Sequence, residues 1–209
     1  MILTEIGEVG VYAGEQVVRL RPSLYAMSRL GDPVEIVETF ATVMGGAEDD
    51  AQARRLFQAA LGVIYACVVD DVDPSSLFGT YETTSGTLEY VPGAAPAEHV
   101  LPLARCLLKH GVTGALPPLP RRPGDEEPVY VKEFLVRDHV ATAMAHLGVS
   151  ERDAWNLTMT GLVGALRAKF PPAERNAPGA RAPTKEEHNA TMAWFDKIEA
   201  KRKAAKGVH

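Results

Sequence analysis

The residues whose types could do chemistry are six histidines, two cysteines and the acidic run Asp70-Asp71-Val72-Asp73. Their spacing argues against it. His99, His110, His139, His146, His188 and His209 include no i, i+4 pair with a Glu between, the arrangement a helical zinc protease needs. His139 and His146 share a helix face but lie about 10 Å apart at ~1.5 Å rise per residue, too far to hold one metal. His110 and His146 fall at helix C-termini, where a charged imidazole is favoured for structural reasons. Neither Cys67 nor Cys106 has a Cys or His at ligand spacing. Both sit in apolar runs and read as buried free thiols of a reducing compartment, with a disulfide between them left open. The Asp run ends in Pro74-Ser75-Ser76, without the spaced oxygens, Gly and closing Glu of a calcium loop, and reads as a helix-end loop. Val43-Met44-Gly45-Gly46 lacks the Lys-Ser/Thr of a phosphate loop, and there is no Gly-x-Ser-x-Gly. The chain therefore reads as non-enzymatic, with no catalytic group, cofactor or metal. A small enzyme assembled from distant residues is a third-ranked alternative.

What remains is a set of elements with clear start and stop signals. Ile6, Val9 and Val11 face Val17, Val18 and Leu20 across Ala13-Gly14-Glu15, a β-hairpin over Glu5–Arg21 that needs helices to lie on. Ser23 caps a helix over Leu24–Leu30. Asp32-Pro33-Val34-Glu35 combines an N-cap, Pro at N1 and Glu at N3, opening a helix that runs to Gly45-Gly46. A long helix follows from Ala51 to Val69, with Leu56, Ala60, Val63, Ile64 and Cys67 on its apolar face. Gly79–Val91, with Thr and Tyr around Ser85-Gly86, reads as a second small hairpin or an ordered loop, and Pro96–His110 as a helix that Gly111 stops. Residues 117–128 hold five prolines, which excludes helix or central strand; they form a spacer, with a superficial likeness to a proline-rich ligand.

The stretch from Leu147 to Pro172 has the most ordered logic. Gly148 stops one helix, Ser150 with Asp153 starts a short one carrying Trp155, and Thr158 or Thr160 caps a third that Pro171-Pro172 end. Ala173–Pro183 reads as disordered. Thr184 opens a last helix with a narrow apolar stripe of Met192, Phe195, Ile198 and Trp194, either packed on its own lobe or docking another chain. The expected fold is α+β and mainly α-helical. Its expected parts are residues 1–115 (hairpin plus helices), a linker over 116–129, a helical lobe over 130–172 and a basic tail over 173–209.

An apolar fraction of 46% is ordinary for a globular chain with a core. Net charge is −5, which gives no reason to expect nucleic acid as a partner. From Arg167 to His209 ten Lys and Arg oppose five Asp and Glu, a net of +5, so the rest of the chain carries −10. No run approaches the ~20 apolar residues of a membrane span, and the N-terminus lacks the basic region of a signal peptide, so a cytoplasmic protein is expected.

Two stretches resemble phage tail assembly chaperones of siphophages and gene-transfer-agent-like elements. One is Gly7–Val37: a hairpin, the boundary Leu20-Arg21-Pro22-Ser23-Leu24, and a helix ending at Leu30-Gly31. The other is Leu147–Phe170, with Leu147-Gly148-Val149-Ser150, Trp155 and Thr158 before a helix. Together they cover about a third of the chain; Asp70–Pro128 departs from the shorter family members. The resemblance implies a protein of the host cytoplasm that binds the tape-measure protein, keeps it soluble and helps recruit tail-tube subunits. Trp155, Thr158, Met159, Leu162 and Trp194 are the candidate partner-binding residues, Trp being enriched at interface hot spots. The alternative for Trp155 is the core of its own lobe. The alternative for the protein is a structural virion component, a connector or minor tail protein. A homo-oligomer fits either.

Overall fold

The computed structural model describes residues 2–13, 16–69, 72–84, 86–117, 131–171, 184–186 and 188–195. The elements are α+β and mainly helical, as the sequence implies. The first hairpin is β2 (Val9–Ala13) with β3 (Gln16–Leu20), antiparallel in the register Val9↔Leu20 to Ala13↔Gln16. Alternation sorts its faces: Val9, Val18 and Leu20 are buried, while Tyr12 and Val17 face solvent. A further strand, β1 (Ile2–Leu3), adds to β2 and was not legible in two residues of sequence. The hairpin gains its support at its other edge, where the end of a long helix meets it. Arg21 N–H donates to Cys67 O (2.7 Å), Val69 N–H donates to Arg19 O (3.0 Å), and Leu20 bridges Val68.

The helices begin where the caps say. Ser23 Oγ accepts from Ala26 N–H (3.1 Å) to open α1 (Leu24–Ser28). Asp32 and Glu35 form a reciprocal capping box at α2 (Pro33–Met44), with Asp32 Oδ1 accepting from Val34 and Glu35 N–H at 2.9 Å each. Asp49 Oδ1 accepts from Gln52 N–H to open α3 (Asp50–Cys67), which buries seven residues including Leu56, Val63 and Ile64. The short α4 (Ser75–Phe78) leads to the second hairpin, β4 (Thr80–Thr84) and β5 (Thr87–Val91). Tyr65 Oη donates to Gly79 O (2.7 Å) and Tyr90 Oη to Phe78 O (2.8 Å), pinning that hairpin to α3 and α4. A 3-10 turn at Ala97–His99 precedes α5 (Val100–Leu108), which packs along α3. Arg105 of α5 donates to Val43 O (2.9 Å) and Gly45 O (2.6 Å), satisfying carbonyls at the end of α2. Gly111 does not stop this helix as expected; a wider π-type turn over Lys109–Thr113 carries the chain on.

The expectation of a separate lobe at residues 130–172 is corrected. Residues 1–170 form one compact unit. The helices α6 (Val136–Leu147), α7 (Glu151–Asn156) and α8 (Met159–Lys169) share one core with the preceding elements, through Phe134, Val140, Ala154 and Leu162. Each helix is short, with few large apolar residues; α6 and α7 bury theirs against α1, and α8 against the π-type turn and α6, rather than by enclosing a core of their own. Backbone bonds seal the junction: Leu24 N–H to Leu157 O (2.8 Å) and Phe134 N–H to Pro33 O (2.9 Å). Most of the expected linker and the stretch Ala173–Pro183 lie outside the described residues. Residues 171–209 form a second unit. Within it residues 188–195 are helical, and Trp194 and Phe195 meet edge to face at 5.2 Å between ring centroids.

Candidate functional site

An apolar groove of about 770 Å³ lies beside the first sheet. One wall is Leu3, Val9, Val11 and Tyr12 of β1 and β2. The facing wall is Pro102, Leu103 and Cys106 of α5, and the floor and ends are Leu77, Phe78, residues 94–96 and His99. No Asp, Glu, Lys or Arg lines it. Burial pushes the Cys106 thiol up from its ordinary pKa against the smaller pull of Lys109, so no thiolate adds charge at neutral pH. Leu3 and Tyr12 are about half exposed, at 51% and 52%, so the sheet wall is reachable from solvent. A groove of this size with neutral walls suits apolar side chains in contact.

Behind this face the hairpin meets a sealed polar junction. His110, in the π-type turn, is buried, and its Nδ1 lies 2.9 Å from Thr160 Oγ1. The same hydroxyl accepts from Ala115 N–H (2.9 Å). Gly7 packs flat on the imidazole at φ +87, and a Cβ there would lie 2.2 Å from His110 Cγ. Burial, then Lys109, lowers the His110 pKa, so the ring is held neutral. Burial likewise lowers that of His139, with Asp138 pulling the other way, and its ring packs on Phe134 at 4.8 Å. The junction ties the π-type turn to α8 as a buried latch: His110 and Thr160 are both shielded from solvent, and the Thr160 hydroxyl is also held by Ala115 N–H.

The five sequence candidates meet different surroundings. Thr158 is buried and caps α8, accepting from Gly161 N–H at 3.0 Å, and it bridges Ser23. Met159 and Leu162 belong to the core, at 8% and 1% exposure, and cannot contact a partner of the folded chain. Trp155 is half-buried, edge to face with the exposed Tyr25 at 6.4 Å, its Nε1–H donating to Glu151 Oε1. Trp194 is 56% exposed and lies in the C-terminal unit. Thr160, the alternative cap, instead serves His110. Asp70 and Asp71 lie outside the described residues, while Asp73 accepts from Ser75 N–H and Oγ as a local turn. Among the described residues no three His, Cys, Asp or Glu side chains gather as a metal set, and no helix is long and apolar enough to cross a membrane.

Sequence reasoning missed the groove. Its walls were visible as the alternation of Val9 and Val11 and the periodicity of Leu103 and Cys106, but some ninety residues separate them and nothing local says that they face each other.

The class is thus an α+β, mainly helical protein whose accessible feature is a neutral apolar groove. Residues 46–190 match the model of a family of unknown function (DUF6246), and the chain belongs to that family. The matched span contains the α4–α5 side of the groove and the Leu147–Phe170 stretch; the β1–β3 sheet lies before it. No curated protein and no solved structure matches the chain.

Proposed function

We propose that the chain is a non-enzymatic phage tail assembly chaperone of the host cytoplasm, which binds the tape-measure protein, keeps it soluble and helps recruit tail-tube subunits. The resemblance in Gly7–Val37 and Leu147–Phe170 supplies the class. The observation that carries the reading is the uncharged groove between β1–β2 and α5. A tape measure presents long apolar helical stripes, and an apolar stripe seats in such a groove by helix-in-groove packing without burying an unpaired charge. Trp155, half-buried beside Tyr25, is a second contact of the hot-spot residue type, outside the groove. Neither nucleic acid nor membrane enters this reading.

The test is co-expression with the tape-measure protein of the same tail gene cluster, followed by size-exclusion chromatography. The expected outcome is a soluble tape measure that co-elutes with the chain. A tape measure that still precipitates, while the chain runs as a ring-sized oligomer, would instead favour a connector or minor tail protein.

A further inference from the structure

A pocket of about 220 Å³ lies where α1, the end of α3 and the end of α7 meet. Its walls differ in kind from those of the apolar groove. Arg21 and Arg29 both line it, with Ser23, Tyr25 and Asn156, and no Asp or Glu among the described residues does. We infer that this pocket binds a carboxylate, either that of a small organic acid or that of an Asp or Glu side chain of another protein. The inference needs neither the apolar groove nor the client proposed for it.

Unused donors support this ligand. Among the described residues Arg29 has no carboxylate partner, and its one bond is a long one, Nη1–H to Ala66 O at 3.4 Å. Most of its N–H donors are left to a ligand or solvent. Arg21 gives Nε–H and Nη2–H to Glu8 Oε1 at 3.2 and 2.8 Å, and its Nη1 has no bond among the described residues. Ser23 is 6% exposed; its Oγ accepts from Ala26 N–H, while its own O–H has no acceptor among the described residues. A buried donor without an acceptor costs stability, and an oxyanion in the pocket supplies one. Cys67 lines the pocket but gives no internal counter-ion: burial holds its thiol far above the ordinary pKa against the smaller pull of Arg29, so it stays uncharged. Charge then sets the class of ligand. Glu8 offsets one of the two guanidinium groups, and the single positive charge that remains matches a monoanionic carboxylate rather than a phosphate dianion. The planar Arg fork also fits two carboxylate oxygens side by side.

The test is a heteronuclear NMR titration of the full chain with sodium acetate, inorganic phosphate and the blocked peptide acetyl-Ala-Glu-Ala-amide, each against sodium chloride at equal ionic strength. Acetate is expected to shift the backbone amides of Ser23, Tyr25 and Ala26 saturably, and chloride is not. Arg29→Gln alters an exposed side chain and should keep the wild-type circular dichroism. It should weaken acetate binding at least about tenfold, as loss of a charge-assisted hydrogen bond does. Arg29→Lys, which keeps the charge but not the fork, should recover only part of the affinity. A peptide that shifts the same amides identifies a protein side chain as a ligand; acetate alone doing so identifies a free acid. No saturable shift with either, unchanged affinity in Arg29→Gln, or phosphate binding more tightly than acetate would each overturn the inference. Asp70→Asn/Asp71→Asn removes the chain's own carboxylates that follow Val69 in sequence. Acetate binding should be the same in this variant; binding that appears only there would mean that the chain fills its own pocket, and would overturn the inference as well.

Discussion

The groove beside the first sheet and the stretch from Leu147 to Phe170 are made of similar material: short elements, a few large apolar residues and aromatic side chains near the surface. They end differently. In the second, α6 and α7 pack on α1 and α8 on the π-type turn, which seals Met159 and Leu162 into the common core and leaves Trp155 half-buried and Phe170 exposed. In the first, Leu77 and Phe78 are buried, but Leu3 and Tyr12 on the sheet wall stay about half exposed beside the groove. Apolar composition marks both. What separates open groove from core is whether neighbouring elements cover the apolar side chains.

Substitutions can break or sharpen that contrast. The largest effect is expected from Leu162→Ala. Truncating this fully buried side chain should cost about 2–5 kcal/mol of stability in denaturant titration, whereas Leu3→Lys on the groove wall should cost little. Equal losses would mean that the groove is core as well.

Next is Gly7→Ala, which forces a Cβ into the His110 ring from a left-handed backbone conformation. About 1–3 kcal/mol should be lost, and His110→Ala should relieve part of the Gly7→Ala penalty, as a double-mutant cycle would show. A smaller change, about 1 kcal/mol, follows Thr158→Ala through loss of the α8 cap.

The pH response is the gentlest. Burial lowers the pKa of both His110 and His139, so the unfolded chain takes up those protons first as pH falls. Their contribution to stability is therefore fully present above the ordinary imidazole value, about 6.5, and declines below it as the folded-state pKa values are approached. Melting temperatures measured from neutral pH downward should fall, and less so in the His110→Gln variant.

How much of this was legible follows the range of each interaction. The caps Ser23, Asp32, Ser150 and Thr158 could be read because an N-cap bonds two or three residues ahead. Even there Asp153 departs from the usual box: its carboxylate accepts from the Ser150 hydroxyl at 2.7 Å. Both hairpins were readable from alternation and turn residues. The His110–Thr160 bond was not, since it joins positions fifty apart. Gly111 read as a stop because helix-ending glycine is a local rule, yet the tertiary contact of His110 goes with a π-type turn there. Separate lobes were inferred from the proline-rich stretch, but a spacer in sequence does not forbid packing across it. The groove failed to show for the same reason as the latch.

The most direct test of the central claim sets the groove against the Trp155 face in one co-expression experiment with the tape-measure protein. Soluble tape measure is quantified with wild type, Leu3→Lys/Tyr12→Lys and Trp155→Ala. If the groove is the client surface, the groove variant leaves the tape measure in the pellet, while Trp155→Ala retains most of the soluble complex. Full solubility with the groove variant, and loss with folded Trp155→Ala, would contradict the account and return the binding surface to the α1–α7 face.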